Sequence, residues 1–172
     1  MWNSYWIKER EDYRPMIMSI CYLAGISVLS FFVGRVLPYK WFPYDRFPFR
    51  SAKFERQGKI YLKIWINKWQ NKVPDMSKIF PKLMPAKNMC HYTPESLPVM
   101  IEETCIAEFV HWVNSLLSLI SLCFCRSWAG ILIVVIYIVL GNLPFILIQR
   151  YNRPRFVRLM EHMNSRQERT HS

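Results

Sequence analysis

Charge is missing from three long stretches of this chain. Met16–Gly34 and Ser127–Gln149 contain no Asp, Glu, Lys or Arg, and Phe109–Cys125 has His111 in place of any of them. Each stretch is about as long as the ~17–25 residues that cross a hydrocarbon core, which excludes an ordinary soluble domain. No small-residue cleavage site follows Met16–Gly34 and the charge before it is balanced, so it reads as a retained anchor rather than a secretory signal. Zinc-type cysteine spacing is absent. The five cysteines are odd in number, with Cys123 and Cys125 two apart and Cys21, Cys90 and Cys105 isolated, so buried thiols are a simpler reading than a disulfide framework. There are no internal repeats and no recognised nucleic-acid module, and the apolar spans argue against nucleic acid as the partner of a basic chain. A Gly-x-Ser-x-Gly elbow and the His-x4-Asp pair of glycerolipid acyltransferases are also lacking.

What is abundant is positive charge, unevenly placed. The chain has 23 Lys and Arg against 12 Asp and Glu, for a formal net charge of +11. Lys8, Arg10 and Arg14 are balanced by Glu9, Glu11 and Asp12, whereas the excess lies between residues 38 and 100 and in the tail from Arg150. With the positive-inside bias, this pattern predicts three crossings over about 16–36, 104–125 and 127–149. The N-terminus is then outside, with the loop 38–100 and the basic tail 150–172 at the cytosolic face of the cell membrane. The expected fold is an all-α, multi-pass integral membrane protein forming one domain over 1–172.

Between the first two spans, Pro38–Arg50 alternates aromatics and bases among three prolines and suits the headgroup layer. Over Lys53–Val73, Ile60, Tyr61, Ile64, Trp65 and Trp69 share one helical face opposite several lysines, the pattern of a basic amphipathic interfacial helix. Pro74–Pro98, which includes Cys90 and His91, reads as a linker. Asn142 and Pro144 interrupt the third span, and a basic C-terminal helix follows it.

The chemistry concentrates in Ile101–Trp112, I-E-E-T-C-I-A-E-F-V-H-W, at the mouth of the second span. A carboxylate near a bilayer centre costs about 2.5–3.5 kcal/mol on insertion scales, so Glu103 and Glu108 need partners or a task. Glu108 and His111 are i,i+3 on a helix, and Thr104, Glu108, Trp112 and Ser115 continue one stripe. His111 is the candidate general base, since an imidazole titrates nearest operating pH. Glu108, Glu103 and His91 are its candidate partners or substitutes. Two blander readings compete: a charged interfacial cap, and half of a carboxylate-bridged metal site. The latter normally repeats Glu-x-x-His on a second helix, which no other span carries, so no metal is expected. Beyond the third span, Gln149–Arg155 (Q-R-Y-N-R-P-R) offers Arg150, Asn152, Arg153 and Arg155 as a fork for phosphates or carboxylates.

Four stretches together resemble a known family. They are Lys53–Gly58 with the Trp-bearing segment after it (K-F-E-R-Q-G-K…K-W), Glu103–Trp112 (E-T-C-I-A-E-F-V-H-W), Asn142–Pro144 (N-L-P) and Gln149–Arg155. In order and spacing, from about Lys40 to Arg169, the chain is similar to the glycosyl-4,4'-diaponeurosporenoate acyltransferases of staphyloxanthin-type carotenoid synthesis. The resemblance implies esterification of a sugar hydroxyl on a glycosylated carotenoid by a fatty acyl group, as the last step of that synthesis. It implies catalysis by His111 with Glu108, Glu103 or His91, and binding of substrate or donor by Thr104, Trp112, Arg150, Asn152, Arg153 and Arg155. No cofactor is expected beyond acyl-CoA or a similar donor as co-substrate. Membrane lipid is an expected partner, and a complex with other pathway enzymes is compatible with the sequence. The rival reading is a non-catalytic membrane adaptor or anionic-lipid-binding protein.

Overall fold

The computed structural model describes residues 2–73, 93 and 96–171, with side chains described for 13–73, 93 and 96–169. Its α-helices are α1 (Trp2–Val36), α2 (Ile66–Trp69), α3 (Ser96–Ser118), α4 (Trp128–Ile136) and α5 (Leu143–His171), joined in part by 3₁₀ and π turns, and no strand occurs among the described residues. Three helical runs are long and apolar enough to cross a membrane: Tyr13–Val36, Ser96–Cys123 and Trp128–Arg169. The protein is therefore an all-helical membrane protein. α1 and α3 begin well before the spans expected at 16 and 104. The third run continues through the expected boundary at 149 for 42 residues, about 63 Å of α-helix, so only part of it can lie in a ~30 Å hydrocarbon core.

The described residues fall into two compact units, drawn from Met1–Leu37 with Phe109–Leu143 and from Pro38–Glu108 with Pro144–Ser172. In the first, Ser19, Leu23 and Ile26 are buried and Ser30 is half-buried, spaced as one stripe of α1. Hydroxyls on or beside this stripe bond to facing groups. Ser19 Oγ donates to Ser121 O (3.2 Å) and Tyr22 Oη to Leu117 O (3.1 Å). Ser27 Oγ pairs with Tyr137 Oη (2.8 Å) and Ser30 Oγ with Asn114 Oδ1 (2.5 Å). Small hydroxyl side chains let membrane helices approach closely and bond where hydrocarbon supplies no hydrophobic drive. Ile17, Val28, Leu29 and Phe32 remain exposed, as lipid-facing side chains should be.

Two local devices shape the third run. Ser127 caps α4 by accepting from Gly130 N (3.3 Å). A Cβ at Gly130 would lie 2.0 Å from the Cys125 carbonyl oxygen, so only glycine fits this close turn. Further on, the interruption expected at Asn142 and Pro144 is a π turn over Tyr137–Asn142. Proline lacks an N–H and its ring clashes with the carbonyl four residues back, and a wider turn relieves both problems. Asn142 Nδ2 donates to Tyr137 O (3.0 Å), keeping that carbonyl bonded.

The second unit corrects the interfacial-helix expectation. Lys53–Val73 is not one amphipathic helix but a chain of short turns, with 3₁₀ segments at Lys53–Glu55, Lys59–Ile64 and Gln70–Lys72 and only α2 as α-helix. Arg56, Gln57, Gly58 and Trp65 adopt positive φ and break the rod. The breaks bring Tyr61 and Ile66 into a core with Tyr151, flanked by Ile60, Trp69, Leu147 and Ile148. Gly58, at φ 87°, packs so closely that a Cβ would sit 3.1 Å from Tyr151 O. Trp65, expected on the apolar face, is 66% exposed.

Candidate active site

Four charges are held together inside the second unit. Thr104 and Glu108 lie one turn apart on α3, and Arg150 and Arg153 are similarly spaced on α5, so each pair projects from one face. Glu108 is 1% exposed and links both arginines: Arg150 Nη1 donates to its Oε1 and Arg153 Nη2 to its Oε2, each at 2.6 Å. Arg150 also grips Glu55 bidentately, Nε to Oε1 at 2.5 Å and Nη2 to Oε2 at 3.0 Å. Arg153 is completed by Thr104 Oγ1 (2.8 Å), Thr104 O (3.0 Å) and Phe49 O (2.6 Å). Glu55 further accepts from Ala52 N (2.6 Å) and from the Tyr61 hydroxyl. The chain Glu55–Arg150–Glu108–Arg153 alternates in sign and sums to zero. That balance, with its dense hydrogen bonding, is what makes burial of four charges tolerable.

The electrostatics follow from the contacts. Burial pushes the Glu55 carboxyl up, but hydrogen bonds from Arg150, Tyr61 and Ala52 and the Arg150 charge outweigh it and hold the group below its ordinary value. Burial, with the neighbouring Glu55 carboxylate, pushes the Tyr61 phenol up to about 12, so it stays a donor at neutral pH.

His111 belongs to the first unit. Its Nδ1 is 3.0 Å from Asn142 Oδ1. Since Asn142 Nδ2 is committed to Tyr137 O, the amide oxygen faces the imidazole and must accept. Nδ1 therefore carries the proton and Nε2 is the basic nitrogen, as a general base requires. The backbone carbonyl of His111 accepts from Ser115 Oγ (2.8 Å), which ties down the next turn of α3.

The remaining candidates fall elsewhere. Glu103 and Asn152 are half-buried, Trp112 is 50% exposed, and His91 lies outside the described residues. The arginine fork divides: Arg150 and Arg153 join the network, while Arg155, about 200° further round the helix from Arg153, stacks over the Tyr151 ring at 4.9 Å. Sequence reasoning did not assign Glu55, Tyr61 and Asn142 to the site. Glu55 had a visible signal, as one of four acids among twelve bases between residues 38 and 100.

These features define a class: a small helical membrane protein with a tautomer-fixed histidine and a buried arginine–carboxylate framework. The comparisons make it specific. A family model described as glycosyl-4,4'-diaponeurosporenoate acyltransferase matches residues 40–162. Proteins of that name from Staphylococcus aureus strains MRSA252, bovine RF122 / ET3-1 and N315 are each 30% identical over 139 residues, covering 80% of this chain and 82% of theirs. No solved structure gives a significant match. The chain belongs to the glycosyl-4,4'-diaponeurosporenoate acyltransferase family, and it is an acyltransferase.

Proposed function

We propose that this enzyme transfers a fatty acyl group from acyl-CoA, or a similar thioester, to a sugar hydroxyl of a glycosylated C30 carotenoid. This would be the closing step of a staphyloxanthin-type synthesis. The family match supports the acceptor class, and the observation that carries the mechanism is the His111–Asn142 bond, which leaves Nε2 as the base. In the reaction the sugar oxygen attacks the thioester carbonyl, a C–O bond forms and the C–S bond breaks. Nε2 takes the hydroxyl proton and returns it to the departing thiolate. Positioned base catalysis of this kind contributes about 10²–10⁴-fold. The Glu55–Arg150–Glu108–Arg153 network is the rigid frame of the second unit, and Glu103, Trp112, Asn152 and Arg155 are candidate substrate contacts.

A cytosolic donor places the active face on the cytosolic side, with the N-terminus outside and the C-terminus inside. Reporters after Ser172 and near residue 78 are expected to read cytosol and one near Arg126 outside. Opposite readings at residue 78 and Ser172 would overturn that topology. The activity is tested by incubating membranes containing the protein with labelled acyl-CoA and glycosyl-4,4'-diaponeurosporenoate. A sugar-linked ester is expected from wild type and a more than tenfold slower rate from His111→Ala. Failure of wild type to form that ester from any acyl thioester would sink the reading.

A further inference from the structure

The second unit carries a cleft of about 300 Å³ along Arg150–Glu161 of α5. That is the lower end of the ~300–1,000 Å³ usual for small-molecule sites, suited to one ring rather than a long acyl chain. Its floor includes Arg150 and Arg153, the arginines that the sequence offers to a donor's phosphates. Their charge is already met: Glu55 and Glu108 neutralise both by direct hydrogen bonds. The other charged groups on the walls, Arg50 and Arg158 against Asp45 and Glu161, also cancel. A di- or triphosphate group would find no net positive field here. Moreover, among the described residues the buried side-chain polar atom left without a hydrogen-bond partner is Ser51 Oγ, and Ser51 lines this cleft.

We propose that this cleft binds the uncharged sugar ring of the acceptor and not the phosphates of the acyl donor. A carboxylate can accept from two neighbouring hydroxyls and a guanidinium can donate to two, so a lining of four arginines and three carboxylates, with Glu108 supplying the fourth negative charge, suits a neutral polyol. Ser51 Oγ gains from a ligand hydroxyl the bond that the fold does not give it. This assignment rests on the acceptor reading above, because it names where that acceptor's sugar sits.

Ser51→Ala provides the sharpest test, since removing an unsatisfied buried hydroxyl should not lower stability. The variant should keep its thermal midpoint and raise KM for the glycosylated acceptor about threefold to tenfold, the value of one hydrogen bond, while KM for acyl-CoA stays unchanged. A selective rise in the acyl-CoA KM, or no change in either, overturns the proposal. A second measurement does not depend on turnover: saturation-transfer NMR on the full chain in nanodiscs with methyl β-D-glucopyranoside as probe. Transfer to the sugar protons is expected in wild type and at least a threefold loss in Ser51→Ala and in Asp45→Asn. No transfer in wild type, equal transfer in the variants, or displacement of the glucoside by free coenzyme A would each count against it. If the glucoside binds as expected and the carotenoid ester never forms, the acceptor reading fails while the sugar cleft stands.

Discussion

The two units satisfy buried polar groups by opposite means. In Met1–Leu37 with Phe109–Leu143, the buried polar side chains among the described residues are neutral, and serines, Asn114, Asn142 and Tyr137 bond to one another or to backbone carbonyls. In Pro38–Glu108 with Pro144–Ser172, the buried polar groups include Glu55, Glu108 and Arg153, paired as ions with Arg150. Neutral bonds inside a membrane bundle average about 0.6 kcal/mol, because alternative partners are always near. A buried ion that loses its partner has no such recourse and costs about 3–5 kcal/mol. The first unit should therefore tolerate single deletions and the second should not.

Glu108→Ala should produce the largest effect. It leaves Arg150 and Arg153 without their shared carboxylate, and a loss of about 3–5 kcal/mol is expected, read as a collapse of folded yield and thermal midpoint in lipid nanodiscs. Glu55→Ala should cost less, because the Arg150 side chain is 17% exposed and keeps Glu108. A loss below about 1 kcal/mol in Glu108→Ala would erase the contrast between the units.

The network also predicts an acid limit. The folded carboxyl of Glu55 is held below its usual value of 4.5, so folding favours its ionised form. The stability this contributes is complete above the unfolded value and is lost as pH falls through the folded one. Thermal midpoints of wild type should thus fall progressively as pH drops below about 4.5. Glu55→Gln, less stable at pH 7, should have a flatter acid limb. Parallel limbs would mean that other carboxylates set the acid response.

The contrast between the units also explains what could be read in advance. Absence of charge marked three crossings, and the stripe through Thr104 and Glu108 and the pair Arg150 and Arg153 were visible as helical spacing. Their partnership was not, because Arg150 and Glu55 are 95 residues apart and Arg150 and Glu108 are 42 apart. Helical periodicity over Lys53–Val73 was misleading. Arg56, Gln57 and Trp65 take positive φ without any residue-type signal, and only Gly58 advertised a break. Asn142 looked like a span breaker, whereas its two-sided amide both closes the π turn and fixes the His111 tautomer. An amide with two tasks cannot be recognised before its neighbours are known.

Asn142→Ala should separate those tasks at intermediate size. Loss of the acceptor frees the His111 imidazole to flip or exchange tautomers, so kcat should fall about tenfold or more. Stability should fall by only about 1–2 kcal/mol for the lost side-chain hydrogen bonds. Asn142→Asp keeps an acceptor for Nδ1 and should recover part of kcat. A purely structural Asn142 would instead lower folded yield with activity per folded molecule unchanged.

The smallest effect belongs to the serine stripe of α1. Ser30 Oγ bonds Asn114 Oδ1, and Ser27 Oγ contacts Tyr137 Oη while also donating to Leu23 O at 2.8 Å. Ser30→Ala keeps the small volume that allows close helix approach and removes only the hydroxyl, so about 0.6 kcal/mol should be lost. Ser27→Ala should cost no more, since Leu23 O keeps its ordinary helical partner. The revealing variant is Ser30→Leu, which removes the same bond and adds bulk at a half-buried position. If packing matters more than polar bonds in this unit, Ser30→Leu will destabilise several times more than Ser30→Ala. Equal losses in the two would show that the bond, not the fit, holds α1 in place, and the supposed difference between the neutral and charged units would narrow to one of degree.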